Sequence, residues 1–267
     1  MMDGIKYLRC QTTHSHILKV EFISDELKTK IKEWLVRICY GEINAEEDGD
    51  YFSYQSTLKA FFERFDKKSV KQKKGIIAEL LSHVVIIYFF KYFKTISVLF
   101  NKEDKSMRKG FDIVVYDTNT SLLWYSEVKS GDGGSNPQKK NLDLLTNAKE
   151  DICVRLKDTS KSTWDSALHD TNLTTSKEVR NKIRQLLKND YLSIESKQEL
   201  EKRVILISVL YKGTTDIDID TLTRFHNDLL NEKIFTETII MTIQKNTYQA
   251  IEHYLRSELK GVSTNVR

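Results

Sequence analysis

Glu127 and Lys129 are separated by one residue near the end of an apolar run, Leu122 to Lys129, that reads as a β-strand. Successive side chains of a strand alternate faces, so the carboxylate and the ammonium leave the same side about 7 Å apart and can act on one substrate atom. Asp112 lies near the start of an earlier run, Phe111 to Tyr116. If the two runs form a hairpin through a turn at Asp117 to Ser121, Asp112 comes beside Glu127, because the two are seven residues back and eight residues forward of the turn midpoint. Facing carboxylates repel unless a cation lies between them, and Mg²⁺ (or Mn²⁺) is the natural hard cation for oxygen ligands. Asp112, Glu127 and a backbone carbonyl such as that of Val128 would hold it. Phosphodiester cleavage needs a water made nucleophilic near neutral pH and a donor for the charge that builds on the phosphoryl oxygens. The metal and Lys129 can supply these, and the spacing leaves open whether Lys129 orients the water, neutralises charge or acts as a base.

With 30% of the chain charged, an Asp followed at a distance by Glu-x-Lys also arises by chance, and the bland reading is a strand carrying solvated edge charges. Context favours chemistry. Asp112 is flanked by Phe111, Ile113, Val114 and Val115, and Glu127 follows Leu122, Leu123, Trp124 and Tyr125, where a buried sheet is expected and an unpaired charge is costly.

The elements that must position these residues can be read in turn. His16 to Phe22 alternates as a half-buried strand, and Ser24 caps an amphipathic helix with Leu27, Ile31, Trp34, Leu35 and Ile38 on one stripe. An acidic loop, Glu42 to Asp50, precedes a second helix marked by Leu58, Phe61, Phe62 and Phe65. Ser69 to Phe93 is apolar on nearly every face, as a buried helix is. Three strands follow, at Ile96 to Phe100, Phe111 to Tyr116 and Leu122 to Lys129. Gly131-Asp132-Gly133-Gly134 is expected to shape the turn after the last of them, and Asn136-Pro137 then opens a helix. The polar stretch from Asp158 to Lys202 contains short helices, Val204 to Tyr211 is a fully buried strand, and helix, strand (Thr238 to Ile243) and helix complete the chain. The fold class is therefore α/β, a mixed central sheet flanked by helices. Residues 1–66 are assigned to an N-terminal α+β subdomain and 67–267 to the domain carrying the site, with a helical insertion at about 158–202.

A long helix containing Gly75-Ile76-Ile77-Ala78-Glu79, a strand with Gly110-Phe111-Asp112, then Ser126-Glu127-Val128-Lys129-Ser130 and a following helix resemble the PD-(D/E)xK nuclease superfamily. The resemblance implies a restriction-endonuclease-like core and places Glu79, an acid on the first core helix, in the metal site. The superfamily's Pro-Asp is absent, since Phe111 precedes Asp112. More narrowly, the N-terminal segment, the two motif strands and the long helical insertion are similar to the HamA family, the nuclease subunit of Hachiman anti-phage defence. That similarity implies HamB, a superfamily-2 helicase, as partner, because this chain has no Gly-x-x-x-x-Gly-Lys-Ser/Thr loop of its own. The rival readings are a stand-alone restriction or repair endonuclease, for which no recognition module is evident, and a non-cleaving nucleic-acid-binding adaptor.

Composition sets the outer limits. The 267 residues, 40% hydrophobic, suffice for a real core, and the longest apolar run, Val84 to Phe90, is far short of the roughly 20 residues that span a membrane. No signal pattern opens the chain, so a cytoplasmic location is expected. A net charge of +4 and a pI near 8.7 lean towards a polyanion such as DNA. Lys73 and Lys74, in a cluster beginning at Lys67, and Lys139 and Lys140 are the candidate phosphate contacts, with solvated helix faces as the alternative. Three widely spaced cysteines and six scattered histidines make neither a disulfide framework nor a zinc set. The acidic Glu46, Glu47 and Asp48 mark the first 66 residues as the surface for a restraining partner, and homo-oligomerisation stays open.

Overall fold

The computed structural model describes residues 2–100, 110–196, 202–246 and 248–263. In chain order the elements are β1 (Ile5–Arg9), β2 (Ser15–Val20), α1 (Asp25–Tyr40), α2 (Glu42–Glu47), α3 (Tyr54–Phe65), α4 (Val70–Phe89), β3 (Phe93–Thr95), β4 (Ile113–Asp117), β5 (Leu122–Gly134), α5 (Pro137–Arg155), α6 (Lys161–Thr174), α7 (Lys177–Glu195), β6 (Arg203–Gly213), α8 (Ile219–Glu232), β7 (Glu237–Lys245) and α9 (Gln249–Ser263). The strands make one seven-stranded mixed sheet in the order β1-β2-β7-β6-β5-β4-β3. β5, β6, β7 and β2 run parallel, while β1, β4 and β3 pair antiparallel to their neighbours.

Parallel strands need crossovers that cover both faces, and two apolar layers result. Leu27 and Ile31 of α1, Phe61 of α3, Ile77, Leu80 and Val84 of α4 and Ile251 of α9 pack with Ile113, Val115, Trp124, Ile207 and Met241 on one face. On the other, α5, α6, α7 and α8 bring Leu145, Ile152, Trp164, Leu187 and Leu222 against Val114, Tyr125, Leu206 and Ile240. The first 66 residues thus share a sheet and a core layer with the rest of the chain: β2 pairs with β7, and α1 and α3 pack beside α4. Helix starts follow their caps. Ser24, Ser53 and Ser69 accept the N–H bonds of Leu27, Ser56 and Gln72, and Gln72 returns a bond to Ser69 to complete a capping box.

Several expectations move. The strand expected at Ile96 to Phe100 is instead β3, ending at Thr95. Beyond it the Ser97 hydroxyl accepts the N–H of Val114, and the amides of Leu99 and Phe100 turn away to the carbonyls of Ile38 and Cys39 at the end of α1. β1 escaped notice because it is an edge strand, mostly solvent-exposed, with no apolar alternation to betray it. The acidic loop is partly helical, as α2. Gly131-Asp132-Gly133-Gly134 is not a turn: β5 continues through it, pairing with β6 as far as Gly134 and Gly213. At Gly133 glycine is needed for close approach, because a Cβ there would lie 2.9 Å from the backbone Cα of Gly213, whereas a Cβ at Gly131 would first meet the flexible end of Lys140 on α5, 2.9 Å from its Cε.

A buried polar cluster fixes α5 on the sheet. Asn141 of α5 donates to Thr242 of β7 at 3.1 Å and accepts from Ser208 of β6 at 2.6 Å, all three being fully buried. Ser208 and Thr242 are register partners, so one amide binds two strands. No helix among the described residues is long and apolar enough to cross a membrane. All three cysteines are free.

Two imidazoles are buried beside the β1–β2 hairpin: Tyr7 Oη lies 2.8 Å from Nδ1 of His16, and Ser15 Oγ lies 3.2 Å from Nδ1 of His226. Burial, helped by His14 and, for His16, by Arg9, pushes both down to about 4. The unfolded chain therefore takes up protons at these sites that the folded chain refuses. Stability is fully present above about pH 6.5, the ordinary histidine value, and is lost as pH falls towards 4. Urea unfolding of the wild type should give a free energy that declines over that interval, and His16→Phe should flatten the decline. A wild-type profile level from pH 6.5 to 4 would contradict this.

Candidate active site

The strand register does what the hairpin geometry required. Ile113 pairs with Ser126, so Asp112, one residue before β4, stands opposite Glu127 in the middle of β5. The regular ladder stops there because the carboxylate of Asp112 takes over: its Oδ2 accepts the Val128 N–H at 2.8 Å. Glu127 lies between β4 and β6 and is fully buried, opposite Leu206. By strand alternation Glu127 and Lys129 share the face of Leu123 and Tyr125, the face covered by α5.

The helix supplies what the strand cannot. Lys129 Nζ lies 2.7 Å from Oε1 of Glu127 and 2.5 Å from Oδ2 of Asp151. Arg155, the last residue of α5, approaches the same glutamate with two nitrogens, Nη2 donating to Oε1 at 3.2 Å and Nε lying 3.0 Å from Oε2. The second approach is an ion pair without hydrogen-bond alignment, and Oε2 is left buried with no donor pointed at it. Asp151 and Arg155 were not picked out from the sequence. Their i,i+4 spacing on a helix was visible, but only the path of α5 brings them here. From Pro137 to Arg155 the helix rises about 27 Å, and the strand from Gly134 back to Glu127 covers about 23 Å, so an antiparallel return ends over the carboxylate.

Electrostatics follows from the packing. Burial, then the charge of Asp112, pushes the Glu127 carboxyl up to about 7 against the pull of Arg155 and Lys129. Burial alone would depress Lys129, but Glu127, Asp151 and Asp112 outweigh it and raise the ammonium above its ordinary value. Among the described residues the group brings three carboxyl groups (Asp112, Glu127, Asp151) together with two cations (Lys129, Arg155).

Among the described residues no three His, Cys, Asp or Glu side chains converge as a metal cluster. The pair Asp112 and Glu127 nevertheless suits an ion that binds through one or two carboxylates and keeps several waters, as Mg²⁺ does. The donor-less Oε2 of Glu127 points the same way. The Val128 carbonyl belongs to the residue whose amide Asp112 holds. Glu79 is half-buried on α4, in the layer against the opposite face of the sheet, and its charge adds to the burial that raises the Cys39 thiol of α1. The lysines are dispersed: Lys139 is exposed, Lys140 lies against Gly131, Lys73 sits 5.2 Å from the centre of the Phe65 ring, and Lys74 is paired with Asp132 at 2.7 Å.

A family model described as HamA matches residues 4–259, and no curated protein matches the chain. The match runs from just before β1 into α9 and so takes in the whole sheet together with Asp112, Glu127, Lys129, Asp151 and Arg155. The chain belongs to the HamA family, that of a component of Hachiman defence.

Proposed function

We propose that this chain is a metal-dependent deoxyribonuclease of a bacterial anti-phage defence system, hydrolysing phosphodiester bonds and acting with, and under the control of, a superfamily-2 helicase of the HamB kind. The observation that carries the reading is the placement of Asp112 directly across from a fully buried Glu127 with Lys129 on the same face. The element order α4, β3, β4, β5, α5, β6, with β5 as the motif strand, supports a PD-(D/E)xK restriction-endonuclease-like core.

In this reading Asp112, Glu127 and the Val128 carbonyl would hold Mg²⁺ or Mn²⁺, and Glu79, behind the sheet on α4, is left out of the set. The bound ion would supply the Lewis acidity that polarises the scissile phosphate and acidifies a water. Lys129 is held by Glu127 and Asp151, whose charges keep it protonated near neutral pH. That favours the role of a fixed cation, orienting the water or neutralising charge on the phosphoryl oxygens, over that of a base. Lys139 and Lys140, at the start of α5 and about 24 Å along the helix from Arg155, are in this reading contacts to the DNA backbone at a distance from the scissile bond. Lys73 and Lys74, near the start of α4 on the other face of the sheet, are candidates of the same kind. Glu46, Glu47 and Asp48 are exposed at the end of α2 and offer the helicase an acidic contact on the N-terminal segment.

Asp112→Asn, Glu127→Gln and Lys129→Met should each lower DNA cleavage by about 100-fold or more, the scale of a lost transition-state contact, while leaving the unfolding transition close to that of the wild type. A well-folded Glu127→Gln protein that cleaves at the wild-type rate removes the assignment. Cleavage should also cease in EDTA and return with Mg²⁺ or Mn²⁺ but not with Ca²⁺, which prefers more ligands in looser geometry. Undiminished cleavage in EDTA would overturn the metal's part in it.

A further inference from the structure

Among the described residues, Arg155 is the one cation at the site that comes from outside the motif strand. It ends α5, where the helix dipole favours a positive charge, and Asn141 clamps the same helix to β6 and β7. Its guanidinium meets the Glu127 carboxylate through Nε and Nη2, at 3.0 and 3.2 Å. The paired nitrogens that suit a carboxylate suit a phosphodiester equally well. The fit to Glu127 is incomplete, because Nε is not aligned on Oε2 and that oxygen has no other donor. Arg155 is also not sealed in: its side chain is 26% exposed, whereas Glu127 has no exposure.

A divalent cation between Asp112 and Glu127 would need the oxygens that Arg155 now faces. Two positive groups on one buried carboxylate repel each other strongly, since little water separates them. Each cation therefore weakens the other's hold. Released from Glu127, the guanidinium stands at the mouth of the site, and the nearest new anion would be the phosphodiester that the metal attracts.

Resting on the nuclease reading above, we propose that Arg155 is an exchangeable counter-ion: it neutralises Glu127 until the divalent cation binds, and then transfers its two-nitrogen contact to the scissile phosphodiester. No bond is made or broken in this exchange. Two opposed effects on one residue follow. Arg155 lowers the affinity for metal and raises the competence of the metal-loaded site.

The test uses the full-length chain with Mn²⁺ as the probe, comparing wild type, Arg155→Met and Arg155→Lys by calorimetric titration without DNA, and then measuring cleavage with Mn²⁺ saturating for each protein. Arg155→Met should bind Mn²⁺ about tenfold more tightly, the ratio that corresponds to loss of a competing charge-assisted contact. At saturating Mn²⁺ it should cleave more slowly, with KM for DNA raised. Arg155→Lys, which keeps the charge but not the paired nitrogens, should fall between in both measurements. Unchanged or weaker Mn²⁺ binding by a folded Arg155→Met protein would overturn the exchange and make Arg155 a structural support of Glu127. Tighter Mn²⁺ binding with undiminished cleavage would overturn the transfer to phosphate. If wild type and both variants bind no Mn²⁺, the metal-site reading itself falls and this proposal with it, an outcome distinct from a wild type that binds Mn²⁺ just as the variants do.

Discussion

A carboxylate buried at the centre of a β-sheet must find positive charge within a few ångströms or give up its own, and Glu127 makes that demand on everything around it. Its neighbours across the sheet, Asp112 just before β4 and Leu206 on β6, offer none. The charge arrives instead along the strand, from Lys129, and from above, from Arg155. Asp112 works against both by standing opposite with the same sign. Among the described residues, carboxylates outnumber cations by one when all are ionised; Asp151 is half exposed to solvent, whereas Glu127 is sealed in and its carboxyl is pushed up to about 7.

The rest of the fold can be understood as the means of keeping this cluster in place. Parallel pairing of β5 with β6 and of β6 with β7 requires long crossovers, and the crossover from β5 begins with α5, whose return path delivers Asp151 and Arg155. The helix is fastened to the sheet where Asn141 enters a pocket of hydroxyls on Ser208 and Thr242. The buried amide is satisfied by both strands, so α5 can neither slide nor turn without losing hydrogen bonds in a water-poor layer. On the other face, α4 and the N-terminal helices press apolar side chains against the same strands. Precision at Glu127 comes from this two-sided packing.

Membership of the HamA family fits a chain in which the charged cluster and the N-terminal segment are parts of one structure. β1 and β2 extend the sheet from the far side, and α1 receives the backbone amides of Leu99 and Phe100 just after β3. The N-terminal helices and the strands beside Asp112 and Glu127 are thus joined by main-chain hydrogen bonds and a shared apolar layer.

The sequence by itself determined the parts of this protein that rest on local pattern. Short apolar runs and a turn of polar residues between them located β4 and β5, and counting from that turn was enough to set Asp112 against Glu127, because hairpin register is a short-range property. A serine cap before an apolar stripe marked α1, and apolar residues at helical spacing marked α3 and α4, for the same reason. Only the tertiary structure decided what depends on distant segments. β1 carries no apolar alternation, so its place was fixed by pairing with β2. The four residues from Gly131 read as a turn until β6 is present to extend β5 through them, and the run after Thr95 reads as strand until α1 claims its amides. The site itself was half legible. Asp112, Glu127 and Lys129 announce themselves by spacing, whereas Arg155 and Asp151 are an ordinary helical pair in one dimension. They join the site because an antiparallel helix of matching length returns over the strand, a fact of three-dimensional geometry that no spacing along the chain encodes.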